Sequence, residues 1–317
     1  MNSEIFAEWL NLQGHKVYRS KSSLWVQAGP RILQAIPYHD VIEPTLPELN
    51  ELLIANDAIG LRYSTPLNTS SGIASYHVTF ERREYPLSSL PKKARHDVRR
   101  GMGTASIEPI SFTRLASEGW SLRADTLQRQ GRVGAETPQW WQRLCESAEG
   151  LAGFEAWAAI VHGQLAAALI AFTSGDCCSI LYQQSRTEYL SLGVNNALTF
   201  VFTNEVLKRP GNPWIFYGLH SLDAPPSVDE FKFRMRYTAK PVRQRVVFHP
   251  WVRPLFNSVS HALLRAGLRL RPGNPTLSKA EGMLRFYLQG RLPLSRQPLP
   301  QPLQAQGEHA DTFKGTA

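Results

Sequence analysis

The chain has 317 residues, 43% of them hydrophobic and 19% charged, with a formal net charge of +9, which suits two soluble domains, or one large one, with a real core. Its N-terminus, MNSEIFAEWLNLQGHKVYRSK, has no basic stretch leading into an apolar run, and no segment nears the roughly 18 apolar residues of a membrane span, so neither a signal peptide nor a span is expected. The cysteines, Cys145, Cys177 and Cys178, offer neither a disulfide framework nor zinc spacing, which points to a reducing cytoplasm and no metal.

Periodicity predicts a helix at 4–12 and strands at 23–27 and 31–36. A helix over 46–55 follows, led by Thr45 and Pro47, then strands at 59–63 and 75–80. Residues 88–102 read as a basic bridging helix. A second region, 105–249, shows the same plan more clearly. An extended segment at 106–110 precedes helices at 120–129 and after Thr137, whose cap is followed by Pro138. Apolar runs at 154–161 and 164–172 flank His162-Gly163, a hairpin turn, and Ser174-Gly175-Asp176 leads to a third strand at 177–185. A helix at 194–208, a strand at 214–219, a short helix at 228–235 and a strand at 242–248 complete the order. Strands and helices in this order make a mixed α/β sheet rather than a strict βα alternation.

Beyond 250 the chain is helical and basic. From Lys232 to Arg296 there are fourteen Lys and Arg against one acid, Glu281, a balance that favours an anionic partner. In a helix at 254–270, Leu255, Phe256, Val259, Leu263, Ala266 and Leu270 share one face, with Asn257, His261, Arg265 and Arg269 opposite. That helix can pack on its own core or rest on a membrane. From Pro298 on, proline and glutamine dominate, and a disordered tail is expected.

Four segments together resemble the FemAB group of aminoacyl- and acyltransferases, whose members carry tandem acetyltransferase-like (GNAT) halves. They are the basic helix Leu90-Pro91-Lys92-Lys93-Ala94-Arg95-His96-Asp97-Val98-Arg99-Arg100-Gly101; the strand pair at His162-Gly163 with Leu181-Tyr182-Gln183-Gln184-Ser185; Leu192-Gly193-Val194-Asn195-Asn196-Ala197-Leu198; and Tyr217-Gly218-Leu219 with Asp229-Glu230-Phe231-Lys232-Phe233. The match spans roughly residues 75–245, carried by order and spacing. The long helical hairpin inserted in bridge-forming members is missing, which favours shorter relatives linked to envelope polysaccharide pathways.

The resemblance implies two GNAT-like mixed sheets flanked by helices, at 1–104 and 105–250, then a basic helical extension at 251–297 and the tail at 298–317. It also implies site residues. Gly193, Val194, Asn195 and Asn196 open a helix where GNAT enzymes hold the donor's pyrophosphate on backbone N–H groups; here Leu190 replaces the usual Arg or Gln, and Asn195 the second Gly or Ala. Phe231-Lys232 matches the family's Phe-Lys pair, whose ammonium can stabilise the oxyanion of acyl transfer. His220, at a strand end, could take a proton from the acceptor. Arg95 and Arg99 share a helix face and could grip a diphosphate, and the Tyr182 hydroxyl could enter the cleft. For each, the plain alternative is a structural role: a surface lysine, an ordinary turn, a solvated helix, a core tyrosine.

The expected activity is direct transfer of an acyl or aminoacyl group to an amine or hydroxyl of a cell-envelope or polysaccharide precursor. The donor is acyl-CoA or aminoacyl-tRNA, no metal takes part, and the acceptor is a small or lipid-linked anion. The chain is expected in the cytoplasm, peripheral to the inner membrane face through its basic helix. The alternative is a non-catalytic GNAT-like module that binds an anionic glycolipid or nucleic acid through the basic half.

Overall fold

The computed structural model describes residues 2–132, 136–220, 226–271 and 274–307. In chain order the elements are α1 (Asn2–Leu12), β1 (Val17–Arg19), β2 (Leu24–Gly29), β3 (Ile32–Ile36), α2 (Leu46–Ala55), β4 (Gly60–Thr65), β5 (Ile73–Phe80), α3 (Lys92–Thr104), β6 (Ser106–Ile110), α4 (Phe112–Glu118), α5 (Trp120–Arg129) and α6 (Pro138–Glu146). Then come β7 (Phe154–Val161), β8 (Gln164–Ser174), β9 (Cys177–Ser185), α7 (Thr187–Leu190), α8 (Val194–Leu207), β10 (Trp214–Leu219), α9 (Pro226–Arg234), β11 (Thr238–Phe248), α10 (Ser258–Leu270), α11 (Pro275–Gln289) and α12 (Gln301–Gly307). Two units arise, one of Met1–Gly14, Val78–Gly218 and Pro226–Thr238, the other of His15–His77, Leu219–Pro225 and Ala239–Ala317.

In the first unit the strands run β10-β9-β8-β7-β6, with β10 parallel to β9 and the other neighbours antiparallel. The β7–β8 hairpin closes on His162 and Gly163, both at positive φ (50° and 80°), as the right-handed twist of paired strands requires. Thr137 accepts a hydrogen bond from the Trp140 N–H and Pro138 starts α6, so that helix begins where its cap directs. The α1 helix places Phe6 and Trp9 against Phe154 and Phe172 of this unit, with ring centroids 5.0 Å apart for Trp9–Phe154 and 5.2 Å for Phe6–Phe172. The Trp9 indole N–H donates to the Leu144 carbonyl at 3.1 Å.

The second unit has the order β1-β2-β3-β4-β11, with β3 and β4 parallel and the rest antiparallel. On one side α2 buries Leu49, Leu52 and Leu53 with Trp25, Leu33 and Tyr63. Another cluster joins Ile73, Val246 and Phe248 to Met283, Leu284 and Phe286 of α11.

The expected division into consecutive halves differs from these units. Strands β5 and β11 each begin in one unit and end in the other, and α1 belongs with the 78–218 segment. An amphipathic helix reveals which face it must bury, not which sheet will cover it. The expected tail also needs correction, because α12 is helical at 301–307 and its Leu303 is buried. The residues expected to be disordered beyond 307 lie outside the described ones.

Candidate functional site

Pairing between β9 and β10 covers only Cys177–Trp214, Cys178–Ile215 and Ser179–Phe216. A register shift on β9 follows at once: Ile180 opposes Ala171 and Tyr182 opposes Ile170, which leaves Leu181 as the extra residue of a bulge. A bulge bends its strand and re-aims the residues beyond it. The two parallel strands therefore part after Ser179, and side chains span the gap. The Tyr217 hydroxyl donates to Gln183 Oε1, and Gln183 Nε2 donates to Thr199 Oγ1 on α8 at 3.1 Å. The chain of polar contacts continues from Asn195 Nδ2 to Ser185 Oγ at 2.9 Å and from Arg129 to Ser185 Oγ at 3.0 Å.

Lys232 borders this gap from α9. Its ammonium donates to Asp229 Oδ1 at 2.8 Å and lies 5.1 Å from the Tyr217 ring centroid. Gly218, at φ +133°, leaves open the space where its Cβ would stand 3.5 Å from the Lys232 Nζ. Burial pushes the Tyr217 hydroxyl's pKa up, so it remains a proton-bearing donor at neutral pH. Phe231 sits half-buried on the same helix.

The four residues expected to hold a donor's pyrophosphate are engaged with the protein. Gly193 adopts a left-handed conformation, and a Cβ there would lie 2.2 Å from the Asp97 carbonyl oxygen of α3. A Cβ at Gly101 would come within 2.5 Å of the Gly193 oxygen. The close approach that glycine permits is thus made by α3, and the Gly193 N–H donates to the Leu190 carbonyl at 3.1 Å. Val194 is buried, Asn195 bonds Ser185, and Asn196 Nδ2 lies 3.4 Å from the Met235 sulfur.

Arg95 donates to the Leu90 carbonyl at 3.1 Å, which fastens it to the start of its own helix, whereas Arg99 is exposed. Tyr182 is packed by aromatic rings, with Trp140 at 6.3 Å and Trp141 at 6.5 Å, and the Arg123 guanidinium stands 5.1 Å from its ring. Two residues on, and so on the same face of β9, Gln184 is buried with neither amide atom hydrogen-bonded.

His220 falls in the second unit, and Lys232 in the first. Its Nδ1 is 3.1 Å from Ser75 Oγ, its ring stacks on Tyr76 at 4.6 Å, and its carbonyl accepts from Arg62 at 2.9 Å. Nearby His77 is buried, its Nε2 2.8 Å from Ser64 Oγ, and its pKa falls to about 3 through desolvation and the positive fields of His39, Lys240 and Arg62. This unit also holds a cavity of about 200 Å³ lined by Arg245, Arg253 and Arg291 with Ser71, Phe286 and Tyr287. None of the three arginines pairs with a carboxylate among the described residues.

Lys232 is therefore brought to the strand gap, Phe231 lies on the same helix, and His220 is placed in the other unit. The sequence reading gave no role to Tyr217, Gln183 or Thr199. Only the position of Tyr217 beside Gly218 at a strand end hinted at it. Among the described residues no cluster of His, Cys, Asp or Glu could hold a metal, and no helix is long and apolar enough to cross a membrane.

No family model and no curated protein matches the sequence. Solved structures do. FemX is similar at TM-score 0.55 and 10% identity, covering 79% of this chain and 93% of that one. The C-terminal domain of a protein described as a lysylphosphatidylglycerol synthetase, from Agrobacterium fabrum, is similar at TM-score 0.52 and 11% identity, covering 83% and 91%. A Bacteroides thetaiotaomicron protein of unknown function gives 0.52 and 11%, covering 78% and 91%. At such identities the likeness is one of fold: this chain shares the mixed α/β architecture of FemX and of that synthetase domain.

Proposed function

We propose that this chain transfers an activated acyl or aminoacyl group to an amine or hydroxyl acceptor, and that the reacting carbonyl enters the gap between β9 and β10. The observation that carries this reading is the early end of the β9–β10 ladder at Ser179–Phe216, with the protonated Tyr217 and the Lys232 ammonium beside the opened edge. Backbone donors freed from a ladder must find other partners, and an acyl carbonyl oxygen is such a partner. In the reaction the acceptor's lone pair forms a C–N or C–O bond to the carbonyl carbon. The donor's C–S or C–O bond then breaks, and the acceptor's proton ends on the departing thiol or hydroxyl. Lys232 opposes the charge that builds on the oxygen in between. The fold's likeness to FemX and to a lysylphosphatidylglycerol synthetase domain supports an aminoacyl donor and a cell-envelope acceptor.

Thermal-shift and mass-shift assays of the full chain against acetyl-CoA, longer acyl-CoAs and aminoacyl-tRNAs test the proposal. A stabilising donor that is slowly hydrolysed in the absence of acceptor supports it. If no donor class raises the melting temperature or is consumed, it fails. The arginine-lined cavity of the second unit favours a second reading, a binding module for a phosphorylated ligand. Saturable binding of such a ligand by a chain inert toward every donor would select that reading instead.

A further inference from the structure

The apolar face of α10 is bare. Trp251 is 85% exposed, Leu255 66%, Val259 69%, Leu263 68% and Leu270 84%. Val259, Leu263 and Leu270 are spaced to share one side of α10, and Trp251 and Leu255 belong to the turn that precedes it. They do not attach α10 to the protein. That task falls to the other side, where Phe256 and Leu264 join the Phe248 and Phe286 cluster, Phe256 lies 4.0 Å from the Phe248 ring, and His261 pairs with Glu281 at 2.8 Å. Asn257 and Ser260 close a capping box that fixes the start of the helix. The helix is thus anchored and ordered while its Val259, Leu263 and Leu270, with Trp251 and Leu255 of the preceding turn, meet water, an arrangement that ordinarily marks an interaction surface.

We infer that this face docks on an anionic lipid bilayer, with the apolar stripe at the headgroup–acyl boundary. Charge decides the occupant. Arg265, Arg269 and Arg271 are exposed on the same helix and its end, and Glu281, the single acid between Lys232 and Arg296, is engaged by His261 and Arg285. A stripe of Trp and Leu with arginines on the polar side has the composition of an interfacial helix. A second copy would cover the stripe but would leave the arginines without an anionic partner. Nucleic acid would satisfy the arginines but would leave Leu255, Val259 and Leu263 in water. This inference does not depend on the chemistry proposed for the first unit.

Flotation of the full chain tests it, with vesicles of equimolar phosphatidylglycerol and phosphatidylcholine set against phosphatidylcholine alone. The chain is expected to float with the anionic vesicles, to stay behind with the neutral ones, and to be released as salt rises. Val259→Asp with Leu263→Asp, both at exposed positions, should keep the helical circular dichroism and weaken partitioning more than about tenfold. Arg265→Glu with Arg269→Glu should abolish the lipid-charge dependence. Absence of flotation at low salt overturns the inference. So does equal flotation by the Asp variant, or a concentration-dependent dimer that this variant dissolves while lipid binding is lacking.

Discussion

The left-handed turn at Gly193 lies against the carbonyl of Asp97, so close that a Cβ on the glycine would stand 2.2 Å from the oxygen. With Gly101 facing the same turn, the α3–α8 crossing is built on two glycines that let backbones approach. Gly193→Ala combines left-handed strain with overpacking, and a loss of about 2–5 kcal/mol is expected. Urea denaturation measures it. An unchanged midpoint would show that α3 can move off α8 at little cost.

Lys232→Ala should lower turnover on the order of a hundredfold while leaving donor affinity nearly unchanged, because the ammonium acts on charge that exists only in the transition state. Arg234→Ala, an exposed change on the same helix, is the matched control. Tyr217→Phe separates a second contribution, since it removes the hydroxyl that spans to Gln183 and keeps the ring beneath Lys232. Equal turnover in the Lys232 and Arg234 variants would reduce Lys232 to the Asp229 ion pair.

His77 makes stability depend on pH. Its folded pKa of about 3 lies below the ordinary 6.5 because the ring is buried among positive groups. Between these values the unfolded chain binds the extra proton, so stability is full above about pH 6.5 and falls as pH drops toward 3. The slope is up to about 1.4 kcal/mol per pH unit for one group. Acid unfolding should show His77→Asn losing less stability than the parent from pH 6.5 to 5, a range in which most carboxylates are still ionised. Parallel curves would mean that His77 is protonated in the fold.

Local signals made much of the architecture legible. Thr45 and Thr137, each followed by proline in the first turn, announced α2 and α6, and His162-Gly163 announced the β7–β8 hairpin. Strand β1, at three residues, is too short to show a period. The site was less legible because its defining contacts are non-local: Tyr217 reaches Gln183 across 34 positions, and Gly193 meets a helix that begins a hundred residues earlier. For α10, periodicity grouped Phe256 with Leu255 and Val259, yet Phe256 is packed and the other two are bare. The sequence shows that a helix has two faces; which one is covered depends on what α11 presents.

Gln184 offers a test in which stability and function should move in opposite directions. Burying an amide with no partner costs about 1–3 kcal/mol, and an apolar residue of similar size recovers much of that. Gln184→Leu should therefore raise the melting temperature. If the amide awaits a polar group of the substrate on the Tyr182 face, the same change should cut kcat/KM by about tenfold or more through the lost hydrogen bond. Higher stability with unchanged kinetics would identify Gln184 as a tolerated flaw of the core.

The chain end supplies the last test. Composition alone marked 298–317 as unable to pack, but Leu303 on α12 is buried, and Gln297 just before it accepts from the Ala74 N–H at 2.7 Å and donates to the Gly72 carbonyl at 3.1 Å. Both contacts pin the start of β5. One leucine among prolines and glutamines escapes a compositional reading because burial depends on a single well-placed side chain, not on the average. Truncation after Gln297 should therefore destabilise the second unit, and Leu303→Ala should account for about 2–5 kcal/mol of the loss, the usual cost of emptying a buried leucine site. Truncation after Gly307 keeps Leu303 and should leave the denaturation midpoint of the parent. If removal of 298–317 and removal of 308–317 prove equally harmless, Leu303 rests on the surface without holding it.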